Sequence, residues 1–204
     1  MAMFPIDIRP DVPWRHLRRS RDAYFGAGRV GYPIHGACDL LVPAGSAVLA
    51  VEDGKIIRGP YEFLSIDDTQ NNCRSQTYAI DVVHDDFIVR YAEIGQTLPS
   101  GLGVNSTVKE GQTIARVGVQ CGGTMLHLEM FKDTTNLDPL TDRSHETRYL
   151  YVPQANYERR KDLLDPTPFL DDWWMDFKLR KHREMDLSME EDDTPLPAPA
   201  RRAR

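Results

Sequence analysis

Two short stretches hold the side chains best suited to chemistry. His35-Gly36-Ala37-Cys38-Asp39 places an imidazole and a carboxylate four residues apart. In an extended chain side chains alternate faces, so His35 and Asp39 share a side and can converge on one ion. Both are good ligands for a divalent metal such as zinc. Met125-Leu126-His127-Leu128-Glu129 has the same alternation. Met125, His127 and Glu129 share one face, while Leu126 and Leu128 turn toward a core. His127 is a candidate third ligand, and Glu129 a candidate acceptor that fixes its ring. Without any metal, the His35…Asp39 spacing arises often by chance, and a polar strand face near a sheet edge accounts for 125–129.

The elements that must position these residues read mainly as strands. DLLVPAGSAVLAVEDGKIIRG contains two apolar runs, each followed by a turn signal, Pro-Ala-Gly at 43–45 and Glu-Asp-Gly at 52–54. TYAIDVVHDDFIVRYAEI reads as a hairpin through His84-Asp85-Asp86, TVKEGQTIARVGV turns at Lys109-Glu110-Gly111, and TMLHLEMF closes the block. Short strands at close spacing with glycine turns predict a mainly β protein, with an antiparallel sandwich-like core. The polar, turn-rich residues 60–76 read as a loop insertion.

The flanks read differently. Residues 1–24 form an Arg- and Pro-rich arm, with six arginines between Arg9 and Arg29, read as a solvated or packed face rather than an anion site. After an irregular stretch, residues 165–184 read as a helix whose Phe169, Leu170, Trp173, Trp174, Phe177 and Leu179 form a docking face, with Pro168 near its first turn. Residues 186–204 are acidic, then Pro/Ala-rich, then basic, and predict a disordered tail. The expected division is an arm at 1–24, a core at 25–135, an irregular segment with a helix at 136–185, and the tail.

Composition narrows the function classes. The chain has 204 residues with a net charge of −6, which argues against a dedicated nucleic-acid binder. Leu40 to Val51 is the longest apolar stretch and is broken by Pro43, Gly45 and Ser46, so no membrane span is expected. The N-terminal residues lack the apolar run of a secretory signal. Three cysteines, Cys38, Cys73 and Cys121, allow at most one disulfide; Cys38 faces away from Asp39 and reads as a buried small hydrophobe. A Cys73–Cys121 pair is compatible with an oxidising compartment, but spacing alone does not establish it.

Taken in order, the segments resemble the lysostaphin-type (LytM-like) zinc metallopeptidases, which cut peptide cross-links of bacterial peptidoglycan. The carrying motifs are Phe25-Gly26 with Arg29, His35…Asp39, VPAGSAVLAVEDGKI (42–56), AIDVVH (79–84), RYAEI (90–94), VKEGQTIARVG (108–118) and MLHLEM (125–130). Asp165-Pro166-Thr167-Pro168 is similar to the exit of such domains. The resemblance implies that His35, Asp39 and His127 hold zinc, with a fourth position open to water.

Two departures matter. The family's two catalytic histidines fall on Glu93 and Met125 in this chain. A thioether cannot carry a catalytic proton, but a carboxylate can, so Glu93 is the candidate general acid/base. A fourth zinc ligand, or a non-catalytic relic, is the rival reading of the same substitution. The resemblance also implies Glu129, Tyr91 and Arg29 as supporting or substrate-facing residues, and His84 as structural. His145 lies where it could reach the site; His16 and His182 read as exposed. The variant pattern is similar to that of type VI secretion toxin effectors. That implies peptidoglycan peptides as substrate and, as partners, an immunity protein and a component of the secretion machine. The expected history is synthesis in the cytoplasm without a signal peptide, then action in the periplasm of a target cell. A phage lysin, or a module that binds wall peptides or activates a hydrolase, is the alternative.

Overall fold

The apolar alternation of residues 38–131 resolves into antiparallel strands. The computed structural model describes residues 2–8, 11, 13–17, 21–28, 35–132, 149–152, 157–160 and 162–192. The strands are β1 (Cys38–Leu41), β2 (Ala47–Leu49), β3 (Gly54–Asp68), β4 (Cys73–Val83), β5 (Ile88–Ile94), β6 (Thr107–Val108), β7 (Thr113–Arg116), β8 (Met125–Phe131), β9 (Tyr149–Val152), β10 (Tyr157–Arg160) and β11 (Leu163–Leu164). The main sheet runs in the order β1-β8-β5-β4-β3-β6, with β11 also on β8, while β2–β7 and β9–β10 form two small ribbons. The fold is mainly β and antiparallel, with one C-terminal helix, α1 (Pro166–Asp192).

The pleat sorts the central strands into two faces. Cys38, Leu40, Ile80, Val82, Val89, Tyr91, Leu126, Leu128 and Met130 turn into the main core. Asp39, Asp81, Arg90, His127 and Glu129 turn the other way. The apolar face is covered by the β2–β7 ribbon, by residues 2–8 and by α1. Phe4 and Ile6 are fully buried, and the arm hydrogen-bonds to the ribbon through Met3 N to Val51 O at 2.7 Å and Leu49 N to Pro5 O at 2.8 Å. The arm is therefore part of the packed fold beyond the expected core at 25–135.

Helix α1 starts at Pro166, where a missing N–H leaves no broken hydrogen bond. The Asp165 carboxylate caps it by accepting from Thr167 N at 2.8 Å. Leu170, Trp173, Trp174 and Phe177 are buried, and Phe4 packs edge-on against Trp174 at 5.3 Å. Leu179 is exposed, contrary to the expected docking face, because at about 100° per residue it falls on the side of the helix opposite Leu170 and Phe177. The helix also continues through Asp192, past the expected start of a disordered tail at 186. Met, Leu and Glu in that stretch are good helix formers.

The expected loop at 60–76 is instead a long hairpin. β3 and β4 pair from Lys55↔Val83 out to Asp68↔Cys73. The polar residues there lie on exposed strands whose backbone groups are satisfied by the ladder. At the tip the Asp68 carboxylate accepts from Gln70 N and Asn71 N, each at 3.1 Å, which closes an Asx turn.

Candidate metal centre

β1 and β8 are neighbours with Asp39 opposite His127, so one residue pair already sets a carboxylate beside an imidazole. His35 arrives from the segment before β1, where Gly26 N donates to His35 O at 2.8 Å and His35 N to Ala27 O at 2.9 Å. Asp39 Oδ1 lies 2.8 Å from His127 Nδ1 and 3.1 Å from His35 Nε2, and the two ring nitrogens are 3.4 Å apart. Among the described residues, His35, Asp39 and His127 are the one group of His, Cys, Asp or Glu side chains that converges this closely, and all three are buried.

The far nitrogen of each ring has its own partner. His35 Nδ1 donates to the Tyr24 carbonyl at 3.0 Å, and His127 Nε2 donates to Glu129 Oε1 at 2.9 Å. A neutral imidazole that donates from one nitrogen presents a lone pair at the other. Three lone-pair donors, Nε2, Nδ1 and Oδ1, therefore face one another across a buried triangle. Such a group repels itself unless a metal ion or a proton lies among its members. A tetrahedral zinc with bonds of about 2.0–2.1 Å separates its donor atoms by roughly 3.3 Å; the edges here, 2.8, 3.1 and 3.4 Å, reach that spacing with outward shifts of a few tenths of an ångström. The donor set of two imidazoles and one carboxylate also suits zinc.

The surrounding charges favour a dication as well. Arg90, buried at 1% exposure, donates Nε and Nη2 to the Asp81 carboxylate at 2.7 and 3.2 Å, and Nη1 to Glu129 Oε2 at 2.9 Å. Tyr61 Oη donates to Asp81 Oδ1 at 3.1 Å. A continuous chain thus runs from Asp39 through His127, Glu129, Arg90 and Asp81 to Tyr61. With neutral histidines, three carboxylates and one guanidinium leave this buried cluster at −2, which a divalent cation brings to zero.

The titration of the group follows from the same contacts. Burial works against a charged His127, but Asp39 and Glu129 outweigh it and push the ring up to about 10. Burial alone would raise the Asp39 carboxyl; the rings of His127 and His35 reverse that and hold it below its usual range. Burial raises Asp81, with Arg90 pulling against it. In the absence of metal, a proton on His127 fills part of the role that a cation would take.

Glu93 follows Ala92, the residue that pairs with His127 across β5 and β8. β4 pairs Tyr78 with Ile94 and Ala79 with Ala92, so Glu93 is the extra residue of a β-bulge. Its φ of +62° is left-handed, which costs a non-glycine residue roughly 1–3 kcal/mol. Regular alternation would turn position 93 toward the core; the bulge re-aims it. Glu93 is 6% exposed and does not belong to the converging ligand group. Met125, opposite Leu41 on the neighbouring strand, is half-buried.

Other sequence-derived candidates lie elsewhere. Tyr91 does not line a cleft: it is fully buried in the main core, on the opposite face from His127, and accepts from Val51 N at 3.1 Å. Strand alternation sets it one residue out of phase with the metal face. His84 is buried, with Nδ1 3.1 Å from the Asp53 carbonyl, and His16 and His182 are exposed. Arg29 and His145 lie outside the described residues. Cys38 is fully buried, with Sγ 3.4 Å from Thr167 Oγ1. Cys73 and Cys121 form a disulfide with Cα atoms 5.9 Å apart.

Arg90, Asp81 and Phe63 escaped the sequence reading. Asp81 and Arg90 are charges set inside apolar strand runs and equidistant from the centre of the turn at 84–87, and that cross-strand match was the available signal. Phe63, from β3, packs its ring 5.2 Å from that of His127. Its contact depends on the bend of the long hairpin and has no local signature.

With this geometry, the family assignment becomes direct. The chain belongs to peptidase family M23, whose sequence profile matches residues 33–139. No curated protein sequence matches the chain. Among solved structures, the chain is similar to the antimicrobial peptidase lysostaphin from Staphylococcus simulans, at 16% identity and a TM-score of 0.49 over 74% of this chain and 49% of that one. It thus spans about half the length of that protein. The catalytic domain of the same peptidase gives 16% identity and a TM-score of 0.48 over 78% of this chain and 98% of that one. A zinc-containing peptidase from Vibrio cholerae gives 24% identity and a TM-score of 0.34 over 48% of this chain and 26% of that one.

Proposed function

We propose that the protein is a zinc-dependent endopeptidase that hydrolyses peptide bonds in the cross-links or stem peptides of bacterial peptidoglycan. The observation that carries the metal reading is the triangle of three lone-pair donors, with both far ring nitrogens already committed to Tyr24 and Glu129. Membership of peptidase family M23 supports the reaction and its substrate class.

In this reading His35, Asp39 and His127 hold the ion. Zinc bound there supplies Lewis acidity, polarising a carbonyl and making water nucleophilic near neutral pH. Tyr24 and Glu129 fix the two rings so that Nε2 of His35 and Nδ1 of His127 stay turned inward. Glu93 takes a proton from the attacking water and returns it to the departing amine nitrogen, as a general acid/base does. Phe63 packs its ring against that of His127 and helps to hold it.

The protein acts, on this proposal, outside the cytoplasm as an antibacterial effector injected by type VI secretion. The Cys73–Cys121 disulfide supports an oxidising compartment as its place of work. The test is digestion of purified peptidoglycan, read by mass spectrometry. Wild type with zinc releases peptides, whereas Glu93→Gln and His127→Ala release none. If wild type cuts no chemotype of peptidoglycan, the reading moves to a wall-binding module.

A further inference from the structure

The segment between β7 and β8 approaches Glu93 more closely than its exposed sequence suggests. Val117 bridges Ile94, and Gly118 N donates to the Glu93 carbonyl at 2.8 Å. A Cβ on Gly118 would lie 2.9 Å from the Ile94 carbonyl oxygen and 3.1 Å from that of Glu93, so only glycine permits this approach. Two residues on, the Gln120 side-chain amide, oriented to donate, reaches Glu93 Oε2 at 2.7 Å and the Gly123 carbonyl at 3.2 Å.

Little else restrains Gln120. Val119 is 72% exposed, and Gly122 and Gly123 have positive φ and open surroundings. The adjacent Cys121 supplies the anchor: its disulfide to Cys73 and its N–H to Ser75 Oγ, at 3.1 Å, both tie the loop to β4. The strut reaches Glu93 through a single intervening residue.

We propose that Gln120 is a positioning residue for Glu93, and that the Cys73–Cys121 disulfide holds it in place. This inference rests on the reading of Glu93 as the proton-transfer group. Gln120, by donating to Oε2, holds the carboxylate in one orientation. Misplacement of a reacting group by about 1 Å can cost on the order of 100-fold in rate. The disulfide forms when two thiols lose two electrons and two protons to a disulfide acceptor. A dithiol reverses this, becoming a disulfide as it returns both electrons and protons. The peptidase is therefore slow while its cysteines are reduced and reaches full rate once they are oxidised.

The experiment compares oxidised wild type, dithiol-treated wild type, Cys73→Ser/Cys121→Ser and Gln120→Met on soluble peptidoglycan fragments, well below each melting temperature. Circular dichroism confirms folding, and zinc content is measured in parallel. The expected result is a kcat about 10-fold lower in all three perturbed forms. KM and zinc content stay the same, and Gln120→Met, which loses one hydrogen bond to a buried carboxylate, melts somewhat below wild type but stays folded at the assay temperature. Combining the cysteine and glutamine substitutions lowers kcat no further, because both remove one restraint. Unchanged kcat in Gln120→Met overturns the proposal, as does a loss of stability without loss of kcat on removing the disulfide. If the serine variant fails to fold, Gln120→Met with the disulfide intact decides. An oxidised wild type that binds zinc but cuts nothing removes the Glu93 reading, and this inference with it.

Discussion

Replacing Arg90 by methionine tests the buried charge network most directly. The side chain is 1% exposed and makes three charge-assisted hydrogen bonds, at 2.7 and 3.2 Å to Asp81 and 2.9 Å to Glu129. Its cation also lies 5.1 Å from the Phe131 ring centre. Methionine fills a similar volume, so packing is largely kept and the lost term is electrostatic. Of the contacts described above, Asp81 then retains the one from Tyr61 Oη and Glu129 the one from His127. Breaking a buried pair by removing one partner costs about 3–5 kcal/mol, because a charge stays buried without compensation. For a chain of this size about 4 kcal/mol corresponds to a drop of roughly 12 °C in melting temperature. Urea unfolding of the metal-free protein, with the slope checked for constancy, measures the effect. Arg90→Met/Asp81→Leu removes one of the two carboxylates that lose the guanidinium and should recover about half of the loss. A loss below about 1 kcal/mol in the single variant would show that water or rearrangement satisfies the carboxylates, and the closed network would be refuted.

Three other predictions concern pH, metal binding and packing. The His127 ring is raised to about 10 in the metal-free protein, above its unfolded value near 6.5. Its stabilising contribution is therefore complete below about pH 6.5 and is lost as pH rises toward 10. Metal-free stability measured by urea should fall across that window, whereas a flat profile would contradict the paired geometry. Zinc takes the place of that proton, so binding near neutral pH should release about one proton per ion, measurable by calorimetry in buffers of different ionisation enthalpy. Leu170, fully buried on the inner face of α1, should cost about 2–5 kcal/mol on replacement by alanine, and a near-neutral result would mean that the helix does not seal the core.

Much of the metal centre was readable in the chain because strand geometry is local. Alternation with period two puts His35 with Asp39, and His127 with Glu129, without reference to the rest of the fold. The same alternation correctly turned Cys38 inward. It also placed Tyr91 out of phase with the site, yet a motif resemblance made Tyr91 a cleft candidate. The error at 60–76 came from composition: polar residues suggested a loop, whereas an exposed hairpin needs only its backbone ladder and a tight Asx turn at Asp68.

The amino-acid sequence by itself determined the donor types, their spacing along each strand, and the family to which the chain belongs. Each of these depends on residue identity and on the short-range pleat of the backbone. Tertiary structure alone decided which strands lie side by side. Pairing β1 with β8 and β8 with β5 brings Asp39 against His127 and Arg90 against Glu129 across long separations in the chain. It also decided that Glu93 occupies a bulge, since a bulge is defined by two strands counted against each other. The disulfide depended on it too: the β3–β4 hairpin must fold up to the β7–β8 segment before Cys73 and Cys121 can meet, and no local rule specifies that approach.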